Sequence, residues 1–323
     1  MLHTPLCDLL GIDFPIIQAG MGPFTSAELV AAVSNAGALG SLGAGARPVD
    51  SLKEQVNITF ELTKRSFAVN YTLSPSLPDR EGFALTLKAH PKIISFALGN
   101  PGDYVKPVHA EGILVMHQVT TVQQAYQAAE AGVDIIIAQG SEAGGFGGTI
   151  ASLVLIPQVI DAVSPIPVVA AGGIADGRGL AAALVLGAQG VNIGTRFLAS
   201  NEAPIDEDWK KAILAAESQD AIKVEFWNDI FPISGQAYQT IPRTLNSEYI
   251  DKWQGKQAIV RQQAIRLQGE VGSAIQQGRL GELFPFAGQT TGQIKEILPA
   301  GEIVHRMVNE AQATLQRVSY LSV

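Results

Sequence analysis

The amino-acid sequence predicts an α/β fold, a (β/α)8 TIM barrel with a helical subdomain inserted after the eighth strand. Eight short apolar runs follow one another between residues 15 and 193 and alternate with helical patterns or loops. The runs are apolar throughout, which is typical of parallel strands that are buried on both faces. Eight such units favour a closed barrel, and an open doubly wound sheet is the alternative.

The strands and helices of the barrel are assigned in chain order. The helix 25–35 begins at a capping residue, Thr25 or Ser26, and stops before Gly37. Further helical patterns cover 51–65, 120–131 and 178–186. The eight predicted strands are 15–19, 38–42, 66–71, 92–98, 112–117, 133–138, 166–171 and 190–193.

A change of composition near Ala203 marks the start of a second unit. The segment 205–285 has helical patterns and contains all three tryptophans of the chain, which we interpret as core residues. The sequence therefore predicts three parts: a barrel of residues 1–204, a helical subdomain of residues 205–285, and a return to the barrel over residues 286–323.

Charge and cysteine content exclude several classes of function. The net charge is −8, with 22 basic and 30 acidic residues, and no basic cluster occurs, so we expect no nucleic-acid partner. A single cysteine, Cys7, excludes a disulfide framework and a multi-thiolate metal site. Asp8 and Asp13 fall where a signal peptide needs apolar residues, and the longest uncharged runs are broken by glycine. We therefore expect a cytoplasmic protein without a membrane span.

The ends of the predicted strands carry little charge, although barrels bind their ligands there. These ends are Gln18, Gly43, Asn70, Gly99, His117, Gln139, Gly172 and Thr195. They include no lysine for a Schiff base, no carboxylate pair for glycoside hydrolysis and no cluster for a metal. Neutral amides can hydrogen-bond a polar ring, and a site without strong acids or bases often takes its reactivity from a cofactor.

Glycine-rich turns indicate what could bind there. Gly172 and Gly173 follow the seventh strand, and Gly194 and Thr195 follow the eighth, where barrels often bind phosphate through backbone N–H groups. The loop 139–148 after the sixth strand is nearly free of side chains. It is either a flexible connector or a wall against a planar ligand.

Several motifs resemble one known family over nearly the whole chain. They are QAGMGP at 18–23, the strand with Asn70, HQVTT at 117–121, AQGSEAGG at 138–145, AAGGIADGRG at 170–179, NIGTRFLAS at 192–200 and AGQTTG at 287–292. In these motifs the chain resembles the nitronate monooxygenase (2-nitropropane dioxygenase) family of FMN-dependent TIM barrels, which is related to flavin enoyl-ACP reductases and NADH:quinone reductases.

The resemblance implies a cofactor, FMN, and a set of residues that bind it. The glycines after the first strand would lie along the flavin, Asn70 and Gln139 would contact it, and the turns after strands seven and eight would hold its phosphate. The implied FMN residues are Ala19, Gly20, Met21, Gly22, Asn70, Gln139, Gly140, Gly145, Ala171, Gly172, Gly173, Gly194, Thr195 and Gln289.

One position departs from the family pattern. After EAGG the family usually places a histidine, thought to be the catalytic base, and this chain has Phe146 there. His117 is the nearest replacement, either as a base or as a structural donor. The resemblance implies oxidation of alkyl nitronates with O2. The alternatives are an NAD(P)H-dependent enoyl-ACP or quinone reductase and a flavin-binding protein that has lost catalysis. Whether the chain forms a homo-oligomer stays open.

Overall fold

The structure is a computed structural model that describes residues 2–73, 79–233 and 238–319. Eight parallel strands form one sheet in the order β1-β9-β8-β6-β5-β4-β3-β2, and β7 belongs to a second sheet. The strands up to residue 193 are β1 (Ile16–Gln18), β2 (Gly40–Gly43), β3 (Phe67–Thr72), β4 (Ile93–Ala97), β5 (Leu114–Val119), β6 (Ile135–Gln139), β7 (Gly145–Gly147), β8 (Val168–Ala171) and β9 (Gly190–Ile193).

The two edges of the eight-stranded sheet meet and close the barrel. Leu39 bridges Ile17 of β1 in parallel, and its backbone N–H donates to the carbonyl of Ile16 at 2.9 Å. The closed (β/α)8 barrel predicted from the apolar runs is therefore confirmed, and the open sheet is excluded.

Helices cover the outside of the barrel and begin where capping side chains allow it. Ser26 accepts from the backbone N–H of Leu29, and Thr121 accepts from that of Gln124. The helices of this part are α1 (Pro5–Leu10), α2 (Ala27–Asn35), α3 (Val49–Leu62), α4 (Arg80–Ala89), α5 (Gly102–Ala110), α6 (Val122–Ala131), α7 (Ser152–Val163), α8 (Gly177–Val185) and α9 (Thr195–Leu198).

The segment after the barrel is mainly helical, as predicted, and also contributes two short strands. Its elements are α10 (Glu207–Ala215), β10 (Ala221–Lys223), α11 (Trp227–Ile230), β11 (Ile241–Leu245), α12 (Glu248–Trp253), α13 (Gln257–Gln262), α14 (Ala264–Gln276), α15 (Leu280–Leu283) and the C-terminal α16 (Ala300–Ser319). Strands β10, β11 and β7 form an antiparallel sheet in which Arg243 lies opposite Gly145. The loop after β6 is therefore not a free connector, because its middle is a strand of this sheet.

Two apolar layers share the strands of the barrel. Side chains such as Ile17, Leu39 and Met116 form the inner cluster together with Leu6 and Cys7 of α1. Alternate side chains, among them Val115 of β5, belong to the larger cluster that includes the surrounding helices. Cys7 is buried, and burial raises the pKa of its thiol. Among the described residues, no helix is both long enough and apolar enough to cross a membrane.

Candidate functional site

A cavity of about 470 Å³ lies at the carboxyl ends of the barrel strands, beneath the helical segment. Twelve of the fourteen residues predicted to hold a cofactor line it, so the folded chain brings the separate motifs together. They are Ala19, Gly20, Met21, Gly22, Asn70, Gln139, Gly145, Ala171, Gly172, Gly173, Gly194 and Thr195.

The other two predicted cofactor residues do not line the cavity. A Cβ on Gly140 would lie 2.0 Å from Ser152 Oγ, so the glycine is required there by packing against α7. Gln289 lies between two lining residues, Gly288 and Thr290, and its backbone N–H donates to the carbonyl of Glu142 at 2.9 Å. Its backbone connects the C-terminal return to the loop after β6.

His117 also lies away from the cavity. Its neighbours Met116 and Gln118 line the cavity, and because side chains alternate along a strand, His117 is on the opposite face of β5. The ring is fully buried, its Nε2 lies 2.9 Å from the hydroxyl of Tyr238, and burial lowers its pKa to about 3. This placement argues against the predicted catalytic role, since a base must reach the substrate.

Two glycine turns form a cradle of backbone N–H groups on one side of the cavity. Gly172 and Gly173 have φ values of 91° and 74°, a conformation that favours glycine. The backbone N–H groups of Gly172, Gly173 and Gly194 have no hydrogen-bond acceptor within the described parts of the chain. Orphaned N–H groups that face a cavity suit an anion such as phosphate.

Amide side chains on the cavity wall leave two buried acceptors unpaired. Oε1 of Gln139 and Oδ1 of Asn192 are buried and have no hydrogen-bond partner among the described residues. Asn70, by contrast, donates through Nδ2 to Ser95 Oγ at 3.1 Å. Buried polar atoms are rarely left unpaired, so the two free acceptors indicate a ligand that donates hydrogen bonds.

Among the described residues that line the cavity, Glu142 is the one that carries a charge. Its carboxylate accepts from the backbone N–H of Ser152 at 3.0 Å and from Ser152 Oγ at 2.9 Å. The capping position of α7 is Ala151, which has no side-chain acceptor, so Glu142 caps this helix from outside it. The carboxylate therefore has a structural role at the beginning of α7.

A row of five aromatic rings forms one wall of the cavity, and no pattern in the sequence predicts this row. Ring centroids are 4.9 Å apart for Phe231 and Trp227, 5.3 Å for Trp227 and Phe146, and 5.9 Å for Phe146 and Phe286. Phe24 continues the row at 6.3 Å from Phe286. The position where the family usually has histidine therefore lies on the cavity wall and is apolar in this chain.

The fold and the cavity define a (β/α)8 barrel with a ligand cavity at the carboxyl ends of its strands. The chain belongs to the nitronate monooxygenase family, whose family model matches residues 3–81 and 75–310. This finding confirms the family resemblance that the motifs predict.

Individual relatives differ in the activity that their names state. The chain is 40% identical over 220 residues to a (3aS,4S,5R,7aS)-5-hydroxy-7a-methyl-1-oxo-octahydro-1H-indene-4-carboxyl-CoA dehydrogenase of Rhodococcus jostii (strain RHA1), and the match covers 68% of this chain but only 62% of that relative. It is 31% identical over 360 residues to a probable nitronate monooxygenase of Staphylococcus aureus (strain MSSA476), with 96% and 98% of the two chains covered. The relatives so named are oxidoreductases.

Among solved structures, FabK from Thermotoga maritima is similar to this chain over its whole length. The TM-score is 0.90 at 32% sequence identity, and the match covers 99% of this chain and 100% of that chain. The barrel and the segment above it are thus both shared with FabK.

Proposed function

We propose that the protein is an FMN-dependent oxidoreductase that oxidises alkyl nitronates with O2. The observation that carries the proposal is the cavity, which combines unpaired backbone N–H groups after β8 and β9 with unpaired amide acceptors. Membership of the nitronate monooxygenase family supports the same reaction. A cytoplasmic location is part of this proposal.

The residues of the cavity fit FMN. Gly172, Gly173, Gly194 and Thr195 would hold its phosphate through backbone N–H groups. The free Oε1 of Gln139 suits a donor on the flavin ring. One phosphate cradle, without a G-x-G-x-x-G turn, favours FMN over FAD. When bound, FMN supplies a redox centre that takes electrons from the substrate and passes them to O2.

The chain itself would bind and orient the substrate. Because Phe146 stands where the family resemblance places a histidine, the described residues of the lining offer no imidazole to remove a proton from carbon. A nitronate has already lost that proton and needs no such base, whereas a neutral nitroalkane needs one. The missing histidine therefore favours nitronates as substrates. The aromatic wall excludes water from the apolar part of the substrate.

A second candidate function is an NAD(P)H-dependent reductase that acts on an enoyl thioester or a quinone. The observation that favours it is the apolar end of the cavity, where Val271, Ile275 and Leu280 follow the aromatic wall and could accept a long apolar group. The carboxyl-CoA dehydrogenase from Rhodococcus jostii, whose name states a thioester substrate, supports it as well.

Anaerobic reduction of the bound flavin separates these functions. The purified protein is denatured and the released flavin is identified by chromatography, with FMN expected. Intact protein is then mixed without oxygen with propyl nitronate, NADH or NADPH while the flavin absorbance is followed. Rapid bleaching by the nitronate alone supports the proposal. Bleaching by NADH or NADPH alone supports the reductase, and a colourless protein that binds no flavin contradicts both.

A further inference from the structure

Two cations face each other in the small sheet behind the cavity wall. Lys223 of β10 lies directly opposite Arg243 of β11 in the antiparallel register. Like charges in this arrangement repel each other and destabilise a sheet. Such a pair in a partly buried place requires a physical explanation.

Both side chains bind backbone carbonyls of the loop after β6. Lys223 Nζ donates to the carbonyls of Gly148 at 2.9 Å and Gly147 at 3.3 Å, and Arg243 donates through Nη2 to the carbonyl of Ser141 at 3.0 Å. Arg243 also donates through Nε to the carbonyl of Ser141 at 3.2 Å, and the remaining bonds go to the carbonyls of Ile241 and Ala221. These acceptors are neutral carbonyls, so the bonds occupy the donors without supplying a negative charge.

Within the described residues neither cation forms an ion pair, although the carboxylate of Glu142 acts on Arg243 from beyond ion-pair distance. Of the ion pairs between described residues, none includes Lys223 or Arg243. Burial and the neighbouring Arg243 lower the pKa of Lys223 to about 8, and burial lowers that of Arg243 although Glu142 opposes the shift. Charges that are partly removed from water without an ion-pair partner are costly.

The charge of Lys223 lies close to a residue of the cavity wall. A Cβ on Gly147 would lie 3.3 Å from Gln139 Oε1 and 3.7 Å from Lys223 Nζ, so both groups reach the same side of that glycine. Gln139 lines the cavity. The ammonium group of the partly buried Lys223 therefore lies beside the same stretch of the loop as Gln139 Oε1.

The same pattern recurs at two arginines that directly follow lining residues in the chain, Ala46 and Thr195. Arg47 donates to the carbonyls of Gly43 and Thr25, and Arg196 donates to those of Ala199 and Glu296. Neither arginine belongs to an ion pair of the described residues. A chain with a net charge of −8 thus has four cations without ion pairs near residues of this cavity, and the described lining contains one carboxylate.

We propose that Lys223 and Arg243 make the cavity selective for an anionic substrate by acting through the wall formed by the loop after β6. The inference rests on the proposed function only in taking a nitronate as the natural anion, because the selectivity applies to any anion of suitable shape. Lys223 is a positioning residue in this scheme: it touches the loop and not the substrate. A unit positive charge in a partly buried position behind the loop changes the affinity of the cavity for an anion by on the order of tenfold.

Binding of a charged and a neutral ligand of equal shape tests the selectivity. Hexanoate and hexanamide are titrated against the purified protein with its bound cofactor, and binding is followed by ligand-observed NMR. We expect wild type to bind hexanoate about tenfold or more tighter than hexanamide. An affinity ratio near one in wild type overturns the proposal without any variant.

Three variants assign the effect to Lys223. Lys223→Met should lower the ratio about tenfold by weakening hexanoate alone, and Lys223→Arg should restore it because the charge returns. Lys211→Met is the matched control, since Lys211 lies on α10 in the same segment but is exposed and paired with Asp208. Equal weakening of both ligands in Lys223→Met would mean that Lys223 only holds the loop, which overturns the inference.

The result of the ligand titration does not depend on the proposed reaction. The titration measures equilibrium binding and requires no turnover. Anion selectivity without nitronate oxidation contradicts the proposed function alone. Nitronate oxidation without anion selectivity contradicts this inference alone.

Discussion

We expect Phe146 to determine which form of a nitro compound the protein oxidises. Its ring lies on the cavity wall between Trp227 and Phe286, at the position where the family usually has histidine. We expect Phe146→His to raise kcat/KM for 1-nitropropane by about 100-fold, at the lower end of general base catalysis, and to leave propyl nitronate nearly unchanged. Steady-state oxygen consumption with each form measures both values.

Phe231→His is the matched control for this substitution. Phe231 also lines the cavity, at the end of the aromatic row, so the exchange introduces the same imidazole at another place. It should not raise activity on 1-nitropropane. An equal gain in both variants, or equal efficiency of wild type on the two substrates, would contradict the explanation based on a missing base.

Gly173 tests the phosphate cradle with little steric disturbance. A Cβ at this position would lie 3.6 Å from its nearest neighbour, Glu142 Oε1, which is an ordinary contact, whereas a Cβ on Gly172 would lie 2.9 Å from the carbonyl of Gly140. Gly173→Asp places a negative charge where phosphate oxygens should meet backbone N–H groups. The flavin content of the purified variant, measured by absorbance, should fall more than tenfold.

The backbone strain of this substitution needs its own control. Gly112 also has a positive φ of 70°, and a Cβ there would meet nothing within 4 Å. Gly112→Asp therefore introduces the same residue with similar strain outside the cavity, and its flavin content should match that of wild type. Normal flavin content in a folded Gly173→Asp protein would place the phosphate elsewhere.

His117 should make the stability of the protein depend on pH. Burial lowers its pKa to about 3 from the ordinary value of 6.5, so between these values the unfolded chain holds a proton that the folded chain does not. The free energy of unfolding therefore has its full value above pH 6.5. It decreases as the pH falls toward 3, by about 1.4 kcal/mol per pH unit. Urea unfolding of His117→Gln between pH 4 and 6 should show a slope shallower by that amount.

The variant Tyr238→Phe tests whether burial or the hydrogen bond to Tyr238 causes the lowered pKa of His117. The variant removes the hydroxyl that lies 2.9 Å from His117 Nε2 but retains the buried imidazole. Because burial is the main cause of the shift, its pH slope should stay close to that of wild type. A His117→Gln protein with an unchanged slope would show that another group dominates the acid sensitivity.

At the scale of the element, α7 depends on a cap that lies outside it. The carboxylate of Glu142 accepts from the backbone N–H and the hydroxyl of Ser152, and Ala151 provides no cap of its own. Glu142→Ala should lower the free energy of unfolding by about 1–2 kcal/mol, as lost N-caps do, and Glu142→Gln should lower it less. Urea unfolding at pH 7 measures both, and equal loss in the two variants would exclude the oxygen acceptor as the cause.

The barrel strands were predictable from the sequence because each is buried on both faces and has a continuous apolar run. Helices with caps, such as α2 and α6, were predictable as well. Helices α5 and α7 have Pro107 and Pro157 inside them, which interrupts a helical pattern, so neither was predicted. Strands β7, β10 and β11 have three to five residues each and form through pairing between distant segments, which local sequence does not encode.

In the site as well, features with a local sequence pattern were predictable, whereas features that depend on contacts between distant segments were not. Glycine turns at strand ends have a local signature, and most of those residues line the cavity. The face on which His117 lies depends on the register of β5, and a shift of one residue reverses it. The aromatic wall joins Phe24, Phe146 and Phe286 from segments far apart in the chain, so no spacing in the sequence reveals it.

For the whole molecule, the question is whether the segment above the barrel is a separate folding unit. The boundaries at residues 204 and 285 are a prediction from composition alone. The structure joins the parts closely, since β7 of the barrel segment pairs with β11 and the ring of Phe24 lies 4.9 Å from that of Trp209. In addition, the backbone N–H of Gly288 donates to Thr195 Oγ1 at 2.9 Å and ties the C-terminal return to α9.

We therefore expect the barrel and the helical segment to unfold in one transition. All three tryptophans lie within residues 205–285, so tryptophan fluorescence reports on this segment, whereas far-ultraviolet circular dichroism reports on the helices of the whole chain. The two signals should give the same midpoint in urea if the units share one core, because coincident transitions are the mark of cooperative unfolding. Phe24→Ala removes a contact between the parts and should shift both midpoints together. A fluorescence transition at clearly lower urea than the dichroism transition would mean that the segment unfolds by itself, and the shared sheet would then be too weak to couple the two.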